Sequence, residues 1–469
     1  MSNSKTHILV FPYPAQGHIL PLLDLTHQLA LQTTLTITII ITPKNLPILN
    51  PLLTNHPNTI QTLILPFPSH PKIPLGVENV RELGNKGNYP FINALSNLQN
   101  PIIQWFNTHH NPPVALISDF FLGWTHQLAT RLNIPRIAFY SSRAFLTTVL
   151  NHCWRNPLHF QSQEVVQFSD IHGKPSFKRQ HLPSVFRRYI ESDPESEFVK
   201  ESFISNAESW GFVINTFRVL EGPYLDYIEA QSGGDKRVFA VGPLGYNPVG
   251  SDPDDRAEVL RWLDRWDEEG SVFYVCFGSQ KLLKKEQMEA LAFGLERSGT
   301  RFVWVVKVPS TEEQIKEGYG LVPDGFEDRV LGRGFVVKGW APQGAILGHR
   351  VVGGFLSHCG WNSVLEAVLA GVGILGWPME ADQFVNARLL VEDMGIAVRV
   401  CEGEDSVPDP DELGRVISAV MSEDSPQKRR AKLMKEEAVG AVSKDGASSK
   451  ELDELVNALQ QLGVKDGSH

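Results

Sequence analysis

Runs of uninterrupted apolar residues alternate with helical stretches along the chain, in two separate series. Such strands are typical of parallel sheets covered on both faces, because a sheet with one wet face alternates polar and apolar side chains. The strands are predicted at residues 7–11, 114–118 and 136–141 in the first series and at 272–279, 301–306, 334–340, 353–357 and 374–378 in the second. Each series is a repeated strand–helix pattern, which predicts an α/β fold.

The chain has 469 residues, more than one hydrophobic core usually holds, so we expect two large domains. Residues 241–255 (VGPLGYNPVGSDPDD) are rich in Gly, Pro and Asp, which helices and central strands do not tolerate. We therefore predict a first domain at 1–245, a linker at 246–255 and a second domain at 256–447. The amphipathic stretch 448–469 is expected to fold back on the first domain as a helix.

The charge balance argues against a nucleic acid partner. A net charge of -10 gives no long-range attraction for phosphate backbones, so a bound phosphate must be held by local dipoles. The four cysteines have no spacing typical of disulfides or zinc sites, which indicates reduced thiols and a cytoplasmic protein. The most apolar run near the start, residues 35–42, is too short to span a bilayer. We expect a monomer that binds small molecules.

Two polar residues follow apolar strands of the first series. His18 lies in the loop PYPAQGHILPLL, where a helix is predicted from about Ile19, and the helix dipole favours the neutral imidazole that a general base needs. Asp119 ends the strand VALIS and could orient the His18 ring from the same edge of the sheet. A structural histidine, and an Asp119 that only caps a turn, remain open alternatives.

The second series has its own candidates. In FGSQ, Gly278 permits close backbone approach and Ser279 offers a hydroxyl, although neither a Walker loop nor a nucleophile elbow is present. In FLSHCGWNSVLEAVLAG, residues 355–371, Ser363 and Glu366 have the spacing of a capping box, which predicts the start of a helix. Gly371 is expected to end that helix.

A capping box leaves two residues of that segment, His358 and Trp361, unexplained. A histidine beside free N–H groups, with Asn362 and Ser363 on the first turn, makes an anion site suited to a diphosphate. Upstream, Trp340 could stack on a base. Downstream, Asp382 and Gln383 begin another helix and could bind sugar hydroxyls, although Asp382 could also be only an N-cap.

The 44-residue segment 340–383 closely resembles the signature box of plant family 1 UDP-sugar glycosyltransferases: WAPQ, HCGWNS, Glu366 and WPMEADQ. The resemblance extends over nearly the whole chain, including PYPAQGHILPLL and FGS. It implies the GT-B fold, in which two Rossmann-like domains with doubly wound parallel sheets face a cleft, with the acceptor in the first and the nucleotide sugar mainly in the second.

The resemblance also implies a role for each matching residue. The base and its partner would be His18 and Asp119. Uracil and ribose would be contacted by Trp340, Ala341, Gln343 and Glu366. The diphosphate would be held by Ser279, His358, Asn362 and Ser363. The sugar would face Trp361, Asp382, Gln383 and Ser141.

The expected reaction is an inverting, metal-independent transfer of glucose from UDP-glucose to a hydroxyl of a small phenol such as a flavonoid. No cofactor is expected. Gln383 is typical of glucose users in the family, whereas histidine there accompanies galactose or rhamnose, so UDP-rhamnose and UDP-galactose are the alternative donors. Gly373 stands where the family usually has proline, which is expected to loosen a turn with modest effect on binding.

Aromatic side chains near the first-domain strand ends predict a flat, apolar acceptor pocket, although core packing explains some of them equally well. They are Phe120, Phe121, Trp124, Tyr140 and Phe145. A nucleotide-dependent hydrolase or oxidoreductase is disfavoured because a phosphate loop and a dinucleotide fingerprint are missing. A non-catalytic UDP-sugar-binding protein is the other alternative, and the presence of His18 and Asp119 argues against it.

Overall fold

The computed structural model describes residues 5–32, 34–231, 237–245, 258–309 and 311–465, and the chain divides into two compact units. Unit 1 comprises Met1–Gly250 with Gly440–His469, and unit 2 comprises Ser251–Val439. The linker predicted at 246–255 lies outside the described residues. Residues 440–447, which the sequence prediction placed in the second domain, group with unit 1 instead.

Unit 1 is built on a parallel sheet of seven strands in the order β3-β2-β1-β4-β5-β8-β9, beside an antiparallel pair, β6 and β7. The strands are β1 Thr6–Phe11, β2 Leu35–Ile41, β3 Ile60–Ile64, β4 Ala115–Asp119, β5 Arg136–Tyr140, β6 Val165–Gln167, β7 Ser176–Lys178, β8 Gly211–Ile214 and β9 Arg237–Ala240. The strand order reverses between β1 and β4. Open α/β sheets bind ligands outside the carboxyl ends of the strands at such a reversal.

The helices of unit 1 follow from the connections that parallel strands require. They are α1 Gln16–Ala30, α2 Asn50–Asn55, α3 Asn88–Ser96, α4 Gln99–Thr108, α5 Thr125–Arg131, α6 Ala144–Arg155, α7 Pro157–Gln161, α8 Ser184–Arg187, α9 Pro194–Ser205 and α10 Arg218–Gln231. In the core of the unit, Leu22 and other residues on the inner face of α1 pack with isoleucines and valines of the central strands, among them Ile8 and Ile37. β-Branched residues pack well on such a pleated sheet, which is buried on both faces.

Unit 2 repeats the plan with six parallel strands in the order β12-β11-β10-β13-β14-β15. They are β10 Val272–Cys276, β11 Arg301–Val306, β12 Gly334–Lys338, β13 Val352–Ser357, β14 Gly373–Gly376 and β15 Ala397–Arg399. The order here reverses between β10 and β13. The two parallel sheets confirm the predicted α/β fold.

The helices of unit 2 connect these strands and continue past the last one. They are α11 Glu258–Leu263, α12 Lys285–Ser298, α13 Glu312–Lys316, α14 Phe326–Arg329, α15 Gln343–Leu347, α16 Trp361–Ala370, α17 Gln383–Arg388, α18 Pro410–Met421 and α19 Pro426–Val442. No helix among the described residues is long and apolar enough to cross a membrane.

The final helix, α20 (Ala447–Lys465), belongs to unit 1. Its Leu455, Val456 and Leu459 are buried in the core of that unit. The Glu451 carboxylate accepts hydrogen bonds from the backbone N–H of Ala240 at the end of β9 and, at 2.6 Å, from Nε of Arg218. The helix therefore packs on the sheet that begins the chain.

Candidate active site

The reversal point of the first sheet carries a histidine–aspartate pair. His18 is the third residue of α1, which begins at Gln16 rather than near Ile19, and Asp119 is the last residue of β4. Nδ1 of His18 lies 3.0 Å from Oδ2 and 3.1 Å from Oδ1 of Asp119. With Nδ1–H donating to the carboxylate, Nε2 is the nitrogen that can accept a proton.

The two members of the pair differ in exposure. The Asp119 side chain is fully buried, whereas 19% of the His18 side chain is exposed, so the imidazole can meet a substrate and the carboxylate cannot. The hydroxyl of Ser141, just after β5, lies 3.3 Å from the same Nδ1. The structure thus places Ser141, predicted to face the sugar, beside the histidine.

Asp119 also has the structural role that the sequence left open. Its Oδ1 accepts a hydrogen bond of 2.8 Å from the backbone N–H of Phe121 and so caps the 3-10 turn Phe120–Leu122. A carboxylate has enough lone pairs to cap the turn and to receive Nδ1–H of His18 at once. The capped turn fixes the position of the Asp119 carboxylate, and the carboxylate fixes the orientation of the His18 imidazole.

Sequence reasoning missed Arg136, the first residue of β5, which is 1% exposed. Its guanidinium donates to the backbone oxygen of Asp119 at 3.3 Å and to Oγ of Ser118 at 2.9 Å, and it reaches Asn206 and Ser209 on its other side. Burial lowers the pKa of Arg136 to about 10, so the side chain stays charged behind the end of β4. A lone arginine entering an apolar strand was the available signal.

Aromatic rings surround the imidazole. The centroid of His18 lies 5.4 Å from Phe120, 4.5 Å from Phe121 and 5.3 Å from Tyr13, which the sequence prediction did not name. Tyr140 stacks on Phe120 with centroids 5.0 Å apart. These rings form an apolar wall beside the nitrogen that can accept a proton.

The other two aromatic residues predicted for an acceptor pocket have different neighbours. Trp124 meets Phe11 edge to face, with centroids 5.9 Å apart. Phe145 stacks on Tyr224 at 4.5 Å and is fully buried. Both contacts are core packing, the alternative that the sequence left open for this group.

The reversal point of the second sheet brings Ser279 and His358 to one edge. Ser279 is exposed in the turn after β10, and His358 follows β13. Gly278 has φ +74°, and a Cβ built there would lie 2.8 Å from Cε1 and Nε2 of His358. A Cβ on Gly360 would lie 2.5 Å from the same Nε2. The imidazole therefore fits only because glycine stands on both sides.

His358 is neutral over the physiological pH range. Burial lowers the pKa of its imidazole to about 4. Within the part of the chain that the structure describes, its Nδ1 has no hydrogen-bond partner. A neutral imidazole keeps one N–H and can donate one hydrogen bond to an anion without carrying a charge.

The helix of the signature box begins differently from the capping-box prediction, which is wrong. The N-cap of α16 is Gly360, so Ser363 is the third residue of the helix and Glu366 the sixth. Instead, Nε2 of Gln343 donates to both, at 2.9 Å to Oγ of Ser363 and at 2.5 Å to Oε2 of Glu366. Gly371 does end the helix, with φ +73° as expected.

Glu366 lies in a partly buried setting that alters its acidity. Burial raises the pKa of this carboxyl group, and the hydrogen bond from Gln343 acts in the opposite sense. Because Oε2 is engaged by Gln343, Oε1 is the oxygen left to accept a hydrogen bond from a ligand.

The turn before α16 is held by a residue that sequence reasoning did not select. Cys359 has φ +63°, which is unusual for a residue with a side chain. Nδ2 of Asn386, on α17, donates to the backbone oxygen of Cys359 at 2.7 Å and to Oδ2 of Asp382 at 3.0 Å. Asn386 thereby links the turn before α16 to the start of α17.

The remaining predicted residues lie at three helix starts of unit 2. Trp340 is 77% exposed just before α15, while Ala341 beside it is buried. Trp361 is buried and Asn362 half-buried on the first turn of α16. An indole exposed to this degree has a free face, which is the arrangement that stacking on a base requires.

Asp382 and Gln383 lie at the start of α17. Asp382 occupies the N-cap position, but its side chain makes no capping bond and is held by Asn386. Oε1 of Gln383 accepts from the backbone N–H groups of Met379 at 2.9 Å and Glu380 at 3.0 Å. The amide nitrogen of Gln383 is therefore the end that can donate to a ligand.

Gly373 does not lie in a turn, so the expectation of a loosened turn is wrong. It is the first residue of β14 and pairs with Gly354 of β13. A Cβ on Gly373 would lie 2.7 Å from Cγ1 of Val420 on α18. The glycine lets α18 pack closely on the sheet.

Comparison with known proteins agrees with this architecture. A family profile described as "UDP-glucoronosyl and UDP-glucosyl transferase" matches residues 254–432, and one described as "Glycosyltransferase, N-terminal domain" matches residues 106–246. Together with two doubly wound parallel sheets, they define a GT-B glycosyltransferase.

Individual relatives cover almost the full chain. UDP-glycosyltransferase 89A2 of Arabidopsis thaliana is 50% identical over 98% of this chain and 97% of its own length. Flavonol 3-O-glucosyltransferase UGT89B1 of the same plant is 47% identical over 98% of both chains. The crystal structure of Arabidopsis thaliana UGT89C1 complexed with UDP-L-rhamnose is 36% identical, with a TM-score of 0.80 over 97% of this chain and 99% of that one. The chain therefore belongs to the UDP-glycosyltransferase family of plants.

Proposed function

We propose that this UDP-glycosyltransferase transfers glucose from UDP-glucose to a phenolic hydroxyl of a flavonoid-type acceptor, with inversion at the anomeric carbon. The observation that carries the proposal is the buried Asp119 carboxylate at 3.0 Å from Nδ1 of a partly exposed His18. A base oriented in this way can activate a hydroxyl that is too weakly acidic to ionise by itself.

The reaction follows from the geometry of the pair. Nε2 of His18 takes the proton of the acceptor hydroxyl while its oxygen forms the bond to the anomeric carbon. The bond between that carbon and the diphosphate oxygen breaks on the opposite face, and UDP leaves with the electron pair. Asp119 stabilises the imidazolium that results, since Nδ1–H already donates to it.

The proposed UDP site uses the residues at the second reversal point. Trp340 stacks on uracil, Ala341 and Gln343 contact the base and ribose, and Glu366 accepts from ribose hydroxyls. The diphosphate lies at the N-terminus of α16, where the helix dipole favours an anion. Donors to it are Ser279, His358, Asn362 and Ser363. In this proposal the charge is met without a metal ion.

The identity of the transferred sugar is proposed from residues at the starts of α16 and α17. Trp361, Asp382 and Gln383 face the hexose, and the free amide nitrogen of Gln383 donates to a hydroxyl. Glucose is favoured by glutamine at this position and by a relative named as a glucosyltransferase. Rhamnose is the second candidate, because a solved relative is complexed with UDP-L-rhamnose.

The acceptor class is proposed from the rings around His18. Phe120, Phe121 and Tyr140 offer flat apolar faces beside the base, which suits a planar aromatic substrate. One relative is named as a flavonol glucosyltransferase, and UGT89C1 has been solved with quercetin. We further propose that the enzyme is a monomer. A cytoplasmic location is proposed because its cysteines are free thiols.

The test is a donor and acceptor panel with product mass as the readout. We expect UDP-glucose with a flavonol to give glucoside plus UDP, with clearly slower turnover from UDP-rhamnose and UDP-galactose. His18→Ala should remove most turnover of weakly acidic phenols and leave UDP affinity unchanged. His70→Ala is the matched control, because His70 also faces a carboxylate, Glu195 at 3.3 Å, outside the proposed site. UDP binding without any product would instead identify a non-catalytic UDP-sugar-binding protein.

A further inference from the structure

A buried tyrosine of the second sheet contacts Gln343, one of the residues of the proposed nucleotide site. Tyr274, in the middle of β10, is fully buried, and its ring stacks on Phe355 of β13 with centroids 5.0 Å apart. Its hydroxyl lies 3.4 Å from Oε1 of Gln343, at the start of α15. The stacked ring fixes the direction in which the hydroxyl points.

The opposite end of the Gln343 amide reaches the ligand-facing residues. Nε2 donates at 2.9 Å to Oγ of Ser363 and at 2.5 Å to Oε2 of Glu366. An amide has one acceptor end and one donor end, so only this orientation satisfies the phenol on one side and the carboxylate on the other.

The direction of the hydrogen bond from the phenol is also determined. Burial raises the pKa of the Tyr274 hydroxyl well above its ordinary value, so the group keeps its proton and donates. Donation can therefore run from Tyr274 through Gln343 to Glu366.

We propose that Tyr274 is a positioning residue for the nucleotide: it holds the Gln343 amide so that one oxygen of Glu366 is occupied and the other faces the ribose. This inference rests on the proposed role of Glu366 as the residue that binds ribose hydroxyls. It adds a residue that touches neither UDP nor the acceptor, yet sets how well the ribose is recognised.

Removing the hydroxyl should loosen that arrangement. In Tyr274→Phe, Oε1 of Gln343 loses its donor, and the amide can turn so that its oxygen faces the Glu366 carboxylate. Two acceptors then oppose each other, and the carboxylate moves from its place. Phenylalanine keeps the stacking on Phe355, so the sheet itself should be unaffected.

The first measurement compares UDP affinity and steady-state kinetics of Tyr274→Phe with the unaltered protein. We expect the Kd for UDP and the KM for the sugar donor to rise about fivefold, and kcat and the acceptor KM to stay within about twofold. Tyr89→Phe is the matched control, since Tyr89 is a buried phenol that donates at 2.7 Å to the backbone oxygen of Val185 in unit 1. It should leave the Kd for UDP unchanged.

A second measurement isolates the ribose. If Tyr274 acts through Glu366, Tyr274→Phe should weaken UDP more than 2′-deoxy-UDP, and it should add little to the effect of Glu366→Gln in the double variant. A second cycle combines Tyr274→Phe with Gln343→Leu, and the two losses should not add if Tyr274 acts through the Gln343 amide. Equal losses for both nucleotides, or independent effects in both cycles, would overturn the inference.

Failure of the underlying function has a different signature. If Glu366→Gln alone leaves the Kd for UDP unchanged, the proposed UDP site is wrong whatever Tyr274→Phe does. If Glu366→Gln weakens UDP and Tyr274→Phe does not, the site stands and the positioning role of Tyr274 is refuted.

Discussion

The imidazole of His358 lies directly against the backbone of Gly278, so that a Cβ on the glycine would stand 2.8 Å from two ring atoms. The two residues follow the ends of adjacent strands, β10 and β13, and are 80 positions apart in the chain. Gly278 thus determines where the imidazole of His358, the proposed hydrogen-bond donor to the diphosphate, can lie.

Gly278→Ala should therefore weaken UDP binding about tenfold, because His358 must move away from the helix start. The left-handed backbone at Gly278, φ +74°, adds a stability cost of about 1–2 kcal/mol. Gly299→Ala is the matched control: its φ is +66° and a Cβ there meets nothing within 4 Å. Calorimetric titration with UDP should show normal affinity for Gly299→Ala, and a normal affinity for Gly278→Ala as well would contradict the assigned contact.

Asp119 has two duties that substitution can separate. Asparagine keeps an oxygen for the Phe121 N–H, so Asp119→Asn should fold with nearly unchanged Tm. It cannot stabilise an imidazolium, and kcat should fall about 10²- to 10⁴-fold. Asp119→Ala should lose both the cap and the rate. Thermal unfolding beside single-turnover kinetics checks this, and an active Asp119→Asn would remove Asp119 from the mechanism.

The buried His7 should make unit 1 sensitive to acid. Its Nδ1 lies 2.6 Å from the backbone oxygen of Asn111 and its Nε2 2.8 Å from Oγ1 of Thr38, a pairing that suits the neutral ring. Burial lowers the pKa of His7 from 6.5 to about 4. Because the unfolded chain takes up the proton first, the neutral form contributes its full stability above pH 6.5 and loses it as the pH falls from 6.5 to about 4.

The shift corresponds to about 3 kcal/mol at most. The thermal midpoint of the unaltered protein should fall steeply over that range, and His7→Gln should start lower but vary less with pH. His159→Gln, at an exposed histidine, is the control and should follow the unaltered protein. If the thermal midpoint of His7→Gln falls with pH as steeply as that of the unaltered protein, the acid sensitivity belongs to other groups.

Gly373→Ala should destabilise unit 2, because the new methyl group would lie 2.7 Å from Cγ1 of Val420. We expect a loss of about 1–3 kcal/mol in the free energy of unfolding, as for other overpacked cores. Adding Val420→Ala makes room, so the double variant should be more stable than the sum of the two single losses implies. Simple additivity in chemical denaturation would show that α18 does not need the glycine.

The α/β fold and its parallel sheets could be predicted because buried parallel strands leave uninterrupted apolar runs in a sequence. His18 and Asp119 could be selected because each follows such a run, and parallel strands end at one edge. Their 3.0 Å contact depends on β1 and β4 being neighbours, a pairing between distant segments that apolar patterning does not encode.

The capping-box prediction failed for a related reason. The spacing of Ser363 and Glu366 is the same whether the serine caps the helix or lies on its third position, and Gly360 had already supplied the cap. The partner of both residues, Gln343, comes from another helix. Arg136 and Asn386 were missed because their role is to hold backbone oxygens, and such a bond leaves no motif.

The packing of α20 on β1 and β9 has a consequence for how the protein is made. Leu455, Val456 and Leu459 complete the core of unit 1, yet they follow the whole of unit 2 in the sequence. Unit 2 is synthesised in full before them and can fold while the chain is still growing. Synthesis of unit 1 therefore begins before that of unit 2, but unit 1 completes its folding after unit 2.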